Sequence, residues 1–177
     1  MIALTKSNWI ESPITHKCFV PHCMHKIAYM PMCTRHLKTV YGVEIKQTIL
    51  VDNDMVPYRF LGLFATRDFK RGEFILPYLG EIVNMQTVNE RYGFTNDTVA
   101  PYVLQMDNDT YIDAMHIRSA GGMANMCQSH DTMRSGNKLF NNAKFKTKPE
   151  FYPYMEACKK IRIGDEIFVN YGDTYFK

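Results

Sequence analysis

The apolar residues of this chain fall into short runs separated by glycine, asparagine and aspartate, and that punctuation limits the folds open to it more than any other feature. Such runs suit strands and are too short for most helices. β-type segments are expected at Arg59 to Ala65, Phe74 to Leu79, Tyr102 to Met106, Tyr111 to Asp113 and Glu166 to Asn170. Asp107, Asn108 and Asp109 lie between two of these, where residues that tolerate positive φ predict a tight hairpin turn. Met85 to Tyr92 reads as an internal helix, with another turn or two after His36. Ser129 to Thr147, polar and rich in Gly, Asn and Lys, reads as an exposed loop. The expected class is mainly β, a β-rich α+β fold of short sheets. With 46% hydrophobic residues in a chain of 177, one sizeable core can form.

Residues 1–50 have a different composition, rich in Cys, His, Met and Pro, and read as a segment apart from a main domain at 56–177. Five cysteines is an odd count, and the start MIALTKSNWIESP has no signal-peptide core, so a disulfide framework is not expected. Cys18, Cys23, Cys33 and His36 follow the spacing C-x4-C-x9-C-x2-H, which can supply four tetrahedral ligands to a structural zinc ion. His16, His22 and His25 are further candidates for the fourth position. A segment with so little apolar content needs such a staple to be ordered. The competing reading is a set of reduced cysteines in a flexible tail.

A net charge of +3 and a pI near 8.5 give no concentrated basic stripe, so there is no strong nucleic-acid signal. No apolar run approaches the roughly 20 residues of a membrane-spanning helix. A soluble, intracellular chain with no membrane partner is expected.

Four blocks then stand out by their order and distances: GLFATRDFKRGE at 62–73, YLGE at 78–81, YIDA at 111–114 and KKIRIGDEIFVNYG at 159–172. Together they resemble the SET domain of protein lysine methyltransferases, over residues 56 to about 176. The resemblance implies a SET-type fold of short sheets with a C-terminal pseudoknot, beside the zinc-stapled N-terminal segment. It also implies methyl transfer from S-adenosylmethionine to a lysine of a protein or peptide substrate, a histone among the candidates, and then a nuclear location.

Residue by residue, Tyr171 takes the place of the family's catalytic tyrosine, Tyr102 that of a tyrosine lining the target-lysine channel, and Tyr78 that of an aromatic bordering the site. Gly62 matches the second glycine of the family's cofactor loop, with Leu63 and Phe64 beside it, while Phe60 stands where the first glycine would be. Where the family has R-F-x-N-H-S-C, this chain reads Gly122-Met123-Ala124-Asn125-Met126-Cys127-Gln128. Asn125 is retained to hold the cofactor's amino-acid end, and Met126 replaces a histidine whose contact with adenine is largely through backbone. Asp113 matches an acidic residue expected to support the fold.

Only five residues follow Gly172, so the cysteine-rich segment that closes the channel in many family members is expected to be absent, and something else is expected to cover the site. Asp173 to Lys177 would fold over the site, or a second subunit in a homodimer would supply the wall. Two other readings stay open. One is a catalytically decayed SET fold that keeps a peptide groove without cofactor affinity. The other makes the Cys/His segment a nucleic-acid or protein contact finger.

Overall fold

The computed structural model describes residues 17–27, 29, 31–51, 54, 56–93, 100, 102–117, 119–127, 139–148 and 151–171. The expectations that rest on His16, on Gln128, on most of the Ser129–Asn141 stretch and on Gly172 to Lys177 lie outside them.

The elements run α1 (Thr34–His36), continued by a π-helical turn Leu37–Tyr41, then β1 (Val43–Gln47), β2 (Leu61–Ala65), β3 (Phe74–Pro77), β4 (Glu81–Asn84) and α2 (Met85–Tyr92). After these come β5 (Val103–Gln105), β6 (Thr110–Asp113), a 3-10 turn Ala120–Met123, β7 (Ala143–Lys148), β8 (Phe151–Ala157) and β9 (Glu166–Ile167). The strands form three small antiparallel sheets in the orders β1-β2-β9, β3-β8-β7 and β4-β6-β5. This is the strand-rich class that the short apolar runs predict. No helix among the described residues is long and apolar enough to cross a membrane.

Local chemistry explains several boundaries. The helical turn after His36 ends where Gly42 takes a left-handed conformation (φ 71°) and returns its N–H to the Lys38 carbonyl. Helix α2 begins at Asn84, whose Oδ1 accepts from the Thr87 N–H at 2.9 Å, an N-cap that satisfies an otherwise orphan donor. The β5–β6 hairpin forms where expected but by another device. Asp107 Oδ1 accepts from the Thr110 N–H at 3.0 Å, and none of residues 107–109 is among the positive-φ positions.

The expected loop over Ser129 to Thr147 is corrected at its end, because residues 143–147 belong to β7. This strand lies at one side of its sheet and alternates lysine with Ala143, Phe145 and Thr147; lysine is a common device for blunting a sheet edge. Its partner β8 is the central strand and carries Pro153, which lacks a ladder donor. The register accommodates it: Lys146 faces Tyr154 and Lys148 faces Phe151, so β8 holds one extra residue there and bulges.

One core runs through the described chain. Leu63, Phe69, Leu76, Ile112, Ile161 and Ile167 are among its fully buried members, and Cys18, Ile27, Met32, Cys33 and Leu37 of the N-terminal segment belong to the same cluster. Residues 166–169 are bonded on two sides. Asn142 and Ala143 N–H groups both donate to the Phe168 carbonyl at 2.9 Å, while the Val169 N–H donates to the Asn125 carbonyl at 2.9 Å. The C-terminal strand is thereby tied to two segments that precede it by about 25 and 45 residues.

Asp113 is a structural hub. Its carboxylate accepts from Arg91 Nη1 at 2.8 Å, from the Tyr92 hydroxyl at 2.9 Å and from the Met115 N–H at 2.9 Å, with its side chain fully buried. These bonds pin α2 to β6. Asp113→Ala should lower stability by about 2–4 kcal/mol, since it strands three donors, and urea unfolding would show this as a shifted midpoint with unchanged slope. A loss under about 0.5 kcal/mol would mean the sheet does not depend on this carboxylate.

Candidate active site

A cavity of about 440 Å³ opens between β2, the 120–125 segment, β5, β7 and the chain at residue 171. Tyr78, Tyr102, Tyr171 and Asn125, which are spread over 94 residues of sequence, all line it. Among the described residues in its wall, none carries a formal charge. The wall is aromatic and aliphatic, with tyrosyl hydroxyls, one amide and backbone groups as its polar features.

Each tyrosine is held differently. Tyr102 sits at φ 66°, a left-handed conformation that costs a bulky non-glycine residue on the order of 1–3 kcal/mol. Its carbonyl accepts from the Tyr78 hydroxyl at 2.8 Å and from the Ala114 N–H at 3.0 Å, so Tyr78 and the end of β6 hold the strained residue in place. Tyr78 is itself buried and meets Phe145 edge to face, centroids 5.2 Å apart. The Tyr171 hydroxyl donates to the Ala124 carbonyl at 2.8 Å, and its backbone N–H reaches the Met126 sulfur at 3.5 Å. Met126 therefore fastens the backbone of residue 171 through its thioether.

Ser119 sets the position of the 120–125 segment: its Oγ accepts the Gly121 N–H, as the cap of the 3-10 turn, and the Leu79 N–H at 3.0 Å. At Gly122 an added Cβ would lie 3.5 Å from the Tyr102 ring and 3.7 Å from Tyr78. The missing side chain leaves the space between those rings open.

Asn125 is oriented by a buried acid. Its Nδ2 donates to Glu166 Oε1 at 3.0 Å and to the Leu61 carbonyl at 3.1 Å. With both amide hydrogens engaged, the group has only an acceptor to offer a ligand. Glu166 is 2% exposed and also accepts from Thr48 Oγ1 at 2.8 Å and from the Ile49 N–H at 2.8 Å. Burial pushes its carboxyl above the usual carboxylate range, against the pull of the bonds from Ile49, Asn125 and Thr48.

The β2 residues are distributed unevenly. Phe60 and Leu61 line the cavity, whereas Gly62, Leu63 and Phe64 follow along the strand and are buried between β1 and β9. Gly62 has a packing reason to lack a side chain, since a Cβ there would collide with the Glu166 carboxylate.

At the other end of the described chain, Cys18, Cys23, Cys33 and His36 bring their donor atoms within 4.8 Å of one another. His36 Nδ1 lies 3.2 Å from the Cys18 sulfur and 3.4 Å from that of Cys33, and the Cys23 and Cys33 sulfurs are 4.0 Å apart. A tetrahedral zinc with ordinary bond lengths would set S···S edges of about 3.8 Å and S···N edges of about 3.6 Å, so the four donors fit that ion. His25 reaches only Cys23, at 3.4 Å, and His22 is not in the group.

Two aromatic wall residues escaped the sequence reading. Phe145 comes from the β7 strand that was read as loop, and Tyr29 comes from the Cys/His segment itself. No periodicity marked either; only their being aromatic could have hinted at them.

The family model described as SET domain matches residues 61–172. The chain is 30% identical over 125 residues to N-lysine methyltransferase KMT5A of Xenopus tropicalis, covering 68% of this chain and 35% of that protein. It is 29% identical over 125 residues to N-lysine methyltransferase KMT5A-B of Xenopus laevis, again covering 68% of this chain and 35% of the relative. The chain thus spans about a third of the length of the curated relatives it matches.

Glu166→Gln tests the acid. The folded state holds this proton more tightly than the unfolded chain does, so its contribution to stability is largest at low pH. It declines as pH rises from the unfolded value, about 4, through the raised folded one. Asp68, held low by the Ile163 N–H, slopes the opposite way, so the informative quantity is the difference between variant and wild type. That difference should favour wild type more at low pH than at neutrality, because the amide cannot take up the proton that the folded acid retains. It should narrow toward neutrality, and a pH-independent difference in urea midpoints would contradict this assignment.

Proposed function

Because the chain belongs to the SET-domain lysine methyltransferase family, we propose that it transfers a methyl group from S-adenosylmethionine to a lysine side chain of a protein substrate, with histone tails the first class to try. The observation that carries this reading is a tyrosine-lined cavity with no formal charge among its described wall residues. The name N-lysine methyltransferase on its relatives agrees with it.

Methyl transfer is an in-line displacement, so the protein's task is to align two ligands and to receive a neutral amine. A lysine ammonium, with a reference pKa of about 10.4, would lose its hydration in this cavity without meeting a carboxylate; desolvation favours the neutral, nucleophilic form. Tyr171 and Tyr102 would orient that amine. Tyr78 contributes by holding the Tyr102 backbone, since its hydroxyl donates to that carbonyl. The Ala124 carbonyl, already accepting from Tyr171, would be one acceptor for weak C–H···O contacts near the reacting methyl.

Bound S-adenosylmethionine would supply an electrophilic methyl on a sulfonium centre. Asn125 suits its ammonium group, because the Asn125 amide is fixed with only an acceptor left to offer. The backbone around Gly62, Leu63 and Phe64 and that of Met126 are the other proposed contacts. Cys18, Cys23, Cys33 and His36 would hold zinc, and four protein ligands leave no open position, so that ion's work is structural. A histone substrate would place the chain in the nucleus.

Calorimetric titration with S-adenosylmethionine should show one-to-one binding that Asn125→Ala abolishes. Tyr171→Phe should keep that affinity and lose about 10²-fold or more in turnover. A folded wild type that binds no cofactor would instead support the decayed peptide-binding module. The rate on an acceptor protein should also rise between about pH 7 and 9 as more substrate amine becomes neutral, and a flat profile in a chemistry-limited assay would remove deprotonation as the controlling step.

A further inference from the structure

The Cys/His segment does more than pack on the core. We propose that Tyr29 forms part of the cofactor cavity's wall as a residue of the metal-closed loop, so that zinc occupancy sets the cavity's affinity for the methyl donor; this rests on the function proposed above. Tyr29 lines the same cavity as Tyr102, Asn125 and Tyr171. It lies between Cys23 and Cys33, inside the loop that a metal bound by those two thiolates would close. Ile27 and Met32 on either side of it are buried, and Tyr29 itself is half-buried and packs against the core they join.

The coupling follows from chain entropy. A loop tethered at both ends by metal bonds explores far fewer conformations than the same residues without metal, and binding energy of the ion becomes ordering of the loop. Among the described residues Tyr29 belongs to no helix or strand, and the backbone bonds near it, from the Cys18 N–H to the His25 carbonyl and from the Phe19 N–H to the Pro31 carbonyl, stay within the segment that the metal would staple. Its placement against the cavity therefore depends in part on the loop's ends, which are ligands. Reciprocity requires that a ligand filling the cavity also strengthen the hold on the ion. Part of the wall that Asp173 to Lys177 or a second subunit was expected to supply would come instead from this segment.

The test uses the full chain loaded with zinc and S-adenosylhomocysteine, the stable product of the donor, as probe. Tyr29→Ala should retain one zinc per chain and a cooperative thermal transition, yet bind the probe about tenfold more weakly by calorimetry. Tyr29→Phe should bind as wild type does, because the ring and not the hydroxyl forms the wall. The reciprocal measurement is zinc transfer to a chromogenic chelator: the probe should slow it several-fold in wild type and leave it unchanged in Tyr29→Ala. Equal probe affinity of zinc-loaded Tyr29→Ala and wild type would overturn the inference. So would zinc release that ignores a probe shown by calorimetry to be bound, or the absence of stoichiometric zinc in wild type. Failure of zinc-loaded wild type to bind the probe at all would instead sink the proposed methyl transfer, and this inference with it. The two failures are thus told apart.

Discussion

The Glu166 carboxylate ties together segments on which both the fold and the cavity depend. It receives Thr48 and the Ile49 N–H from the chain after β1, Asn125 from the segment after the 3-10 turn, and it packs against Gly62 of β2. Four stretches that are distant in sequence are brought into register by one side chain on β9. Taking a carboxylate out of water is costly, and here neutral donors offset only part of that cost. The raised carboxyl pKa is the trace of that balance. Asn125 faces the cavity in one orientation because of this acid, and β9 is fixed where Tyr171, five residues on, reaches the same cavity.

A second constraint is the strain at Tyr102. A left-handed tyrosine persists only where its surroundings over-determine it, and the Tyr78 hydroxyl and Ala114 N–H both bond its carbonyl. Tyr78 and Tyr102 thus form one unit, while Tyr171 is anchored independently on the Ala124 carbonyl and the Met126 sulfur.

Much of the element pattern was legible. Met85–Tyr92 is a helix with the expected ends because Asn84 caps it and Val88 is buried, both local properties. The β5–β6 hairpin was legible from its polar turn, although an Asp107 side-chain bond closes it and not a positive φ. β7 was missed because its lysines imitate a loop, and β8 carries Pro153, which argues against a central strand unless a bulge accommodates it. Both errors have one source: the sequence does not reveal at which edge or bulge of a sheet a residue will sit.

The sequence by itself determined the strand-rich class, the family resemblance, the Cys/His spacing and the candidacy of Tyr78, Tyr102 and Tyr171. These depend on local periodicity and on ordered motifs. Tertiary structure decided that His36 and not His22 or His25 meets two cysteine sulfurs, that Glu166 grips Asn125, and that Tyr29 and Phe145 join the cavity wall. Each of those outcomes is a contact between residues far apart in the chain. Such contacts arise only when the shared core packs three small sheets and the Cys/His segment against one another, which no local pattern encodes.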